Sequence, residues 1–196
     1  MSFSTSIPTA FSQTYRNKLL STLDMIDTDR VAPAIEWMKE TRHANRALFV
    51  AGNGGSATAA HFVCDVVKGA IMSKANRFRI VGLGQNLPTM TAYSNDSSYA
   101  DSLLEKFKNF AQPGHLYMAI SGSGDSPNVA RVMEYANSGC RTRALTGRGG
   151  GRLGQLGALN IHVPEQHMGP IEDAHHVICH MICYCFMEQA GTTQPV

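Results

Sequence analysis

Ala47-Leu48-Phe49-Val50-Ala51-Gly52-Asn53-Gly54-Gly55-Ser56-Ala57 reads as a short apolar strand that breaks into a glycine-rich turn and opens a helix. The same design returns in Leu116-Tyr117-Met118-Ala119-Ile120 followed by Ser121-Gly122-Ser123-Gly124-Asp125-Ser126-Pro127-Asn128. Glycine lets the backbone turn tightly and approach a ligand, and the helix that follows presents unpaired N–H groups and the positive end of its dipole. Serine hydroxyls add neutral donors. Either loop alone is as consistent with a plain tight turn as with a ligand site. Two of them in one chain point to a bound anion, and phosphate is the anion that this geometry suits.

Nucleotide binding is the first alternative. Gly52-x-Gly54-x-x-Ala57 has the spacing of the dinucleotide fingerprint, which also requires an acidic residue ~20 positions later at the end of the next strand. That strand, 78–83, runs into Gly84-Gln85-Asn86 and carries no carboxylate there. Neither loop has the Gly-Lys-Ser/Thr ending of a P-loop. The sequence therefore predicts no nucleotide cofactor, and a small phosphorylated ligand held by hydroxyls and backbone amides.

Outward from the two loops, apolar runs near 47–51, 78–83, 116–120, 142–145 and 159–163 alternate with helical stretches. Such alternation predicts an α/β fold with a parallel sheet covered on both faces, and ligands lie beyond the carboxyl ends of its strands. Both serine loops then share one rim. Before the first strand, Phe11, Tyr15, Leu19, Leu23 and Ile26 recur at helical spacing, and Ile35 and Met38 continue the pattern over 31–42. With no strand of their own to cover, these two helices are expected to pack beside the last helix or against another subunit. A final helix over about 170–190 is rich in His, Cys and Met. The expected organisation is one domain: an N-terminal helical pair (1–45), an α/β core (46–165) and a C-terminal helix (166–191).

At 196 residues and 43% hydrophobic, the chain has apolar material for a sizeable core without disulfide or metal staples. A net charge of +2 without any block of lysine or arginine argues against a nucleic-acid partner. No apolar run approaches the ~18 residues of a membrane span, and residues 1–6 do not read as a leader, so a cytoplasmic protein is expected. Cys64, Cys140, Cys179, Cys183 and Cys185 form no CxxC pair and are odd in number, which suits reduced thiols.

Groups able to do proton chemistry concentrate on two helices. His61 and Asp65 stand four apart after the first serine loop, on one helix face. Glu172, His175, His176 and His180 lie on the last helix. Imidazole with carboxylate suits general acid–base work or a divalent metal, although such a helical pair is more often a simple surface hydrogen bond. Glu172 and His180 stand eight residues, roughly 12 Å, apart along a helix, so joint action needs converging side chains or a second subunit. His176, Cys179, His180 and Cys183 have the spacing of a zinc site, but a cysteine-bearing helix face is usually core.

The ordered motifs Gly52-Asn53-Gly54-Gly55-Ser56, His61-Phe62, Ser94-Asn95-Asp96, Ser121 to Asn128, Thr146-Gly147-x-Gly149-Gly150 and the Glu172 to His180 helix resemble the sugar isomerase (SIS) domain family, in particular its phosphoheptose isomerase branch. The resemblance spans nearly the whole chain. It implies a flavodoxin-like doubly wound sheet of five parallel strands with additional N-terminal helices, a homotetramer with sites shared between subunits, and a sugar-phosphate ligand. It places Ser56, Ser121, Ser123 and Ser126 on the phosphate, and Asn53, Gly54, Asn95 and Asp96 in the sugar pocket. Asp65 stands where the family has its glutamate base, Glu172 where it has glutamine, and His180 at the partner acid–base. Some members carry zinc, and His61, Asp65, Glu172 and His180 match those ligand positions. Gly122 replaces a threonine and Asp125 an asparagine; a carboxylate beside a phosphate must turn away, as by capping the helix that begins at Pro127.

The activity so implied converts sedoheptulose 7-phosphate to D-glycero-D-manno-heptose 7-phosphate through an enediol, with Asp65 or Glu172 as base and His180 moving the oxygen proton. The alternatives are a non-catalytic SIS protein, acting as a sugar-phosphate sensor or a protein-binding scaffold, and an isomerase of another phosphosugar.

Overall fold

The computed structural model describes residues 7–69 and 77–188. Five parallel strands, β1 (Ala47–Ala51), β2 (Arg79–Gly82), β3 (Leu116–Ser121), β4 (Arg141–Thr146) and β5 (Leu159–His162), lie in the order β2-β1-β3-β4-β5. The register pairs Leu48 with Leu116 and Ala119 with Ala144, so β1, β3 and β4 form the sheet centre. This is the flavodoxin-like order. The chain reverses direction across the sheet between β1 and β3, and the crevice above that point is where such sheets bind ligands.

Alternation along the central strands feeds two cores. Leu48, Val50, Leu116, Met118, Ile120, Leu145 and Ile161 turn to one face, where α2 (Val31–His43), α3 (Gly54–Gly69) and α8 (Met168–Glu188) cover them. Phe49, Tyr117, Ala119 and Ala144 turn to the other, under α5 (Ser102–Lys108), α6 (Pro127–Ala136) and α7 (Gly151–Leu156). α4 (Leu87–Asp96) flanks α5. Each large side chain buried in this way contributes ~1.5–3 kcal/mol. The two layers therefore hold the rim in place without help from the ligand.

The N-terminal helices divide their work differently from expectation. α1 (Pro8–Leu23) packs on α8, as foreseen, but α2 covers part of the sheet as well, against β1 and β3. Buried Val31, Ala34 and Met38 attach α2 to the sheet core, and a buried cation adds a polar link. Arg143 on β4 is fully enclosed, its Nη1 donating to the Ala34 carbonyl at 2.8 Å and its Nη2 to the Met118 sulfur at 3.1 Å. Burial lowers its guanidinium to about 10. A buried polar group without such partners is costly, so α2 is tied to the strand that carries this side chain.

α1 is fixed by polar contacts at its middle and end. The Tyr15 hydroxyl donates to Asp173 Oδ2 at 2.6 Å; burial, that hydrogen bond and the charges of Asp173 and Glu172 push it up to about 12. Lys18 Nζ lies 2.5 Å from the buried Glu165 Oε2. No helix among the described residues is long and apolar enough to cross a membrane, and all five cysteines are free thiols.

Candidate active site

Both serine loops reach the same rim, above the carboxyl ends of β1 and β3. Gly52 lies where any side chain would press on the Ser56 carbonyl and the Ile120 carbonyl, so the first loop and β3 close to backbone contact there. Gly54 takes a φ of +52°, which starts α3 in a conformation that side-chain-bearing residues avoid. Ser56, in the first turn of α3, is buried.

In the second loop three hydroxyls converge. Ser121 Oγ lies 3.3 Å from Ser123 Oγ and 3.1 Å from Ser126 Oγ. The Gly124 amide donates to Ser121 Oγ at 3.2 Å, and the Asp125 amide to Ser123 Oγ at 3.2 Å. Ser126 is the N-cap residue of α6 yet makes no side-chain cap bond. Its hydroxyl faces the other two serines instead. Three hydroxyls clustered at a helix N-terminus supply the neutral donors that an anion needs.

Asp125 turns away from this cluster, as electrostatics demands, but caps a different helix from the one anticipated. Its Oδ1 accepts from the Arg152 amide at 2.8 Å, at the start of α7 and not of α6. The Gly124 carbonyl accepts from the Leu153 amide at 2.8 Å, so loop and helix lock together. Gly122, the other departure, leaves room for the Met168 side chain at the start of α8, which any larger residue would overlap.

An amide pair bridges the two loops. Asn53 Nδ2 donates to Asn128 Oδ1 at 2.8 Å, and Asn128 Nδ2 donates back to Asn53 Oδ1 at 2.9 Å. Asn128 is fully buried, and the Val129 amide also donates to its Oδ1, at 3.0 Å. Asn53 Oδ1 accepts a further bond from the Tyr99 hydroxyl at 2.8 Å. Neither Asn128 nor Tyr99 has a role that the sequence alone assigns. The available signal was an asparagine just inside a helix of a serine-rich turn, where a side-chain amide has backbone and loop groups within reach. Asn95 and Asp96 are exposed at the end of α4 and bond each other at 2.9 Å; Tyr99, three residues on, brings their loop to the rim.

The acid–base candidates fall into two levels. Glu172 is half-buried, and its carboxylate sits directly on Gly55, at the N-terminus of α3, where the helix dipole favours a negative charge. The absence of a side chain at Gly55 makes that seat. Further along, the Phe62 ring meets His180 edge-on at 4.3 Å between centroids and His176 at 5.7 Å. Gly55 beside Glu172 and Phe62 beside His180 set α3 and α8 parallel. His61, Asp65 and His180 are thereby exposed on the flank, Asp65 at 67% and ion-paired with Lys68 at 2.7 Å. Ten residues separate Asp65 from Gly55, which is roughly 15 Å along a helix.

One protomer accordingly does not gather His61, Asp65, Glu172 and His180 around a common point. Among the described residues no three His, Cys, Asp or Glu side chains are placed to hold a metal. The zinc set inferred from the resemblance is not assembled among the described residues: the Glu172 carboxylate sits on Gly55 at the rim, whereas His61 and Asp65 lie roughly 9 and 15 Å further along α3. The set His176, Cys179, His180 and Cys183 fails for another reason. Cys179 and Cys183 are buried in the core, where burial pushes both thiols up, Cys183 to about 12, while His180 faces outward.

Known proteins share this fold. The SIS domain family profile matches residues 13–147. The chain is 37% identical over 138 residues to a probable phosphoheptose isomerase of Thermoplasma volcanium, covering 69% of this chain and 70% of that protein. It is 36% identical over 141 residues to the phosphoheptose isomerase of Crocosphaera subtropica, covering 71% and 72%. Among solved structures, the phosphoheptose isomerase of Neisseria gonorrhoeae superposes with a TM-score of 0.81 at 23% identity, over 93% of this chain and 97% of that one, a likeness of fold. A profile covering most of the chain, together with relatives above 30% identity across more than two thirds of their length, places the chain: it belongs to the SIS domain family, alongside the phosphoheptose isomerases.

Proposed function

We propose that this chain is an aldose–ketose isomerase that interconverts sedoheptulose 7-phosphate and D-glycero-D-manno-heptose 7-phosphate. The observation that carries the reading is the rim: the Ser121, Ser123 and Ser126 hydroxyls converge at the start of α6, and the Asn53–Asn128 pair ties them to the Ser56 loop. A phosphate held there leaves the sugar to extend past Asn53, Asn95 and Asp96. Curated relatives at this level of identity carry the phosphoheptose isomerase name, which supplies the sugar.

The reaction requires a base and a proton carrier. A carboxylate removes the proton from C1 of the ketose while O2 gains a proton, giving the 1,2-enediol. Return of a proton to C2 and loss of the O1 proton complete the aldose. Glu172, at the rim of its own protomer, is placed to reach a sugar bound there. Asp65 and His180 lie on the exposed flank, so they would serve a site on a neighbouring subunit. The shared site of a homotetramer follows, and the exposed Phe11, Leu20, Met181 and Tyr184 on α1 and α8 are suited to the subunit border. Five free thiols fit a reducing compartment, the cytoplasm.

The test is direct. Purified protein incubated with sedoheptulose 7-phosphate in deuterium oxide should yield the manno-heptose phosphate, with deuterium on the carbon that receives the transferred proton, both read by NMR. Binding of the sugar phosphate without product or exchange would overturn the isomerase and leave a sugar-phosphate sensor or scaffold.

A further inference from the structure

A second cavity of about 400 Å³ opens at the opposite end of the sheet from the serine loops, beside the amino ends of β1 and β2. Ala47 and Phe49, which line it, lie four and two residues before Ala51, so along the strand the cavity spans about 7–13 Å from the rim. Its volume falls within the range of small-molecule sites.

The lining is chemically specific. Phe49 forms part of the floor, and Phe78 and Phe110 line it as well. Phe110 is 54% exposed, an aromatic ring that the fold leaves uncovered. The Arg79 guanidinium and the Gln112 amide contribute polar groups, and no carboxylate lines the cavity among the described residues. His115 completes the wall. It is almost fully buried, stacked obliquely on Phe49 at 5.5 Å, and its Nδ1 has no hydrogen-bond partner. Burial, reinforced by the positive charges of Arg46 and Arg79, lowers its pKa. Arg79 Nη1 donates to the Asn45 carbonyl at 3.2 Å, and Phe78 already meets Phe186 at 5.0 Å and carries the Arg42 guanidinium at 5.2 Å, which leaves Phe110 as the uncovered ring beside two cations. Aromatic walls beside cations with no lining carboxylate select a flat ring that carries a negative charge.

We propose that this cavity is a second ligand site, separate from the sugar-phosphate rim, which binds a planar aromatic carboxylate with its ring among Phe49, Phe78 and Phe110 and its anionic group on Arg79. A phosphate is not needed for this recognition, and competition with the sugar phosphate distinguishes this site from the serine loops, whose hydroxyls could also take a carboxylate. The site stands independently of the proposed isomerase activity, because binding is read without turnover.

Calorimetry and saturation-transfer NMR on the intact protein would use 1-naphthoate as probe and 1-naphthamide as its uncharged counterpart. Saturable naphthoate binding is expected, at least tenfold tighter than naphthamide and unaffected by saturating sedoheptulose 7-phosphate. Arg79→Gln should weaken naphthoate at least tenfold while leaving naphthamide unchanged. Phe110→Ala, at an exposed position outside the core, should weaken both. Absence of saturable binding, equal affinity for the two probes, or displacement by the sugar phosphate would each overturn the proposal. So would concentration-dependent self-association that Phe110→Ala abolishes, since a second copy of the chain would then occupy the cavity.

Discussion

The rim and the α3–α8 flank are built on opposite principles. At the rim polar groups meet one another: serine meets serine, Asn53 meets Asn128, and Tyr99 closes onto Asn53. On the flank, His61, Asp65 and His180 are exposed, and Asp65 pairs with the surface lysine Lys68. Surface pairs of that kind contribute ~0–1 kcal/mol and fix little. A binding site must be ordered before its ligand arrives, whereas groups that serve a neighbouring subunit are ordered by the neighbour. On the proposed reading, the contrast separates phosphate binding, assigned to the rim of one chain, from proton transfer, assigned to groups on the flank that would meet a second chain.

The largest effects should come from breaking the acid–base groups, Glu172 at the rim and Asp65 and His180 on the flank. Asp65→Asn, His180→Gln and Glu172→Gln are each expected to lower turnover by about 10²–10⁴-fold while sugar-phosphate affinity stays close to wild type, since proton transfer is lost and the serine loops are untouched. Mixing decides where the groups meet. Subunits carrying Asp65→Asn, refolded with subunits carrying Glu172→Gln, should recover roughly a quarter of wild-type activity if each site takes Glu172 from one chain and Asp65 from another. No recovery would put both carboxylates in one protomer and erase the distinction between rim and flank.

Breaking the rim should act on binding. Ser121→Ala or Ser123→Ala is expected to weaken the sugar phosphate by about 1–3 kcal/mol, the cost of a lost hydrogen bond to a charged group. Calorimetry showing unchanged affinity in both variants would remove the serine cluster from the phosphate. Asn128→Ala sharpens the point. It touches neither phosphate hydroxyls nor acid–base groups, yet frees Asn53, so KM should rise by a factor of about 5–10, with kcat nearly constant. A fall confined to kcat would mean that the amide pair acts on the chemistry instead.

The sequence disclosed these two regions unevenly. Central strands of a parallel sheet are buried on both faces and read as apolar runs, so Ala47–Ala51 and Leu116–Ser121 stood out, as did the glycine turns that each must enter. The Asn53–Asn128 pair joins residues 75 apart, and Tyr15 meets Asp173 across 158, separations that no local period encodes. Spacing also misled. His61 and Asp65 do share a helix face, but whether a face looks inward is settled by packing, and here Phe62 takes the inward place beside His176 and His180. The polar link between α2 and the sheet was hidden because Arg143, which makes it, reads in sequence as an ordinary surface arginine.

The smallest effect, on stability and not on activity, tests how the rim side is braced by α1. Glu165 is 3% exposed, and its Oε1 accepts from the Gln166 and His167 amides at 2.7 and 2.9 Å. Burial alone would raise its pKa, but Lys18 and the two amides outweigh burial and hold it down to about 2, against an ordinary value of 4.5. A carboxylate with a depressed native pKa stabilises the fold fully above its unfolded value, and that contribution is lost as the pH falls from about 4.5 towards about 2. Thermal melts should therefore show wild-type Tm falling across this window, with Glu165→Gln flatter over the same range. Lys18→Met should start the fall at higher pH, because the amides then face the burial penalty without the ammonium. Glu165 is joined to the glycine turn after β4, its carbonyl accepting from the Arg148 amide at 2.9 Å, so acid should loosen α1 and this turn together. Equal pH slopes in wild type and Glu165→Gln would show that the brace lies elsewhere, in the Tyr15–Asp173 bond or in apolar contact alone.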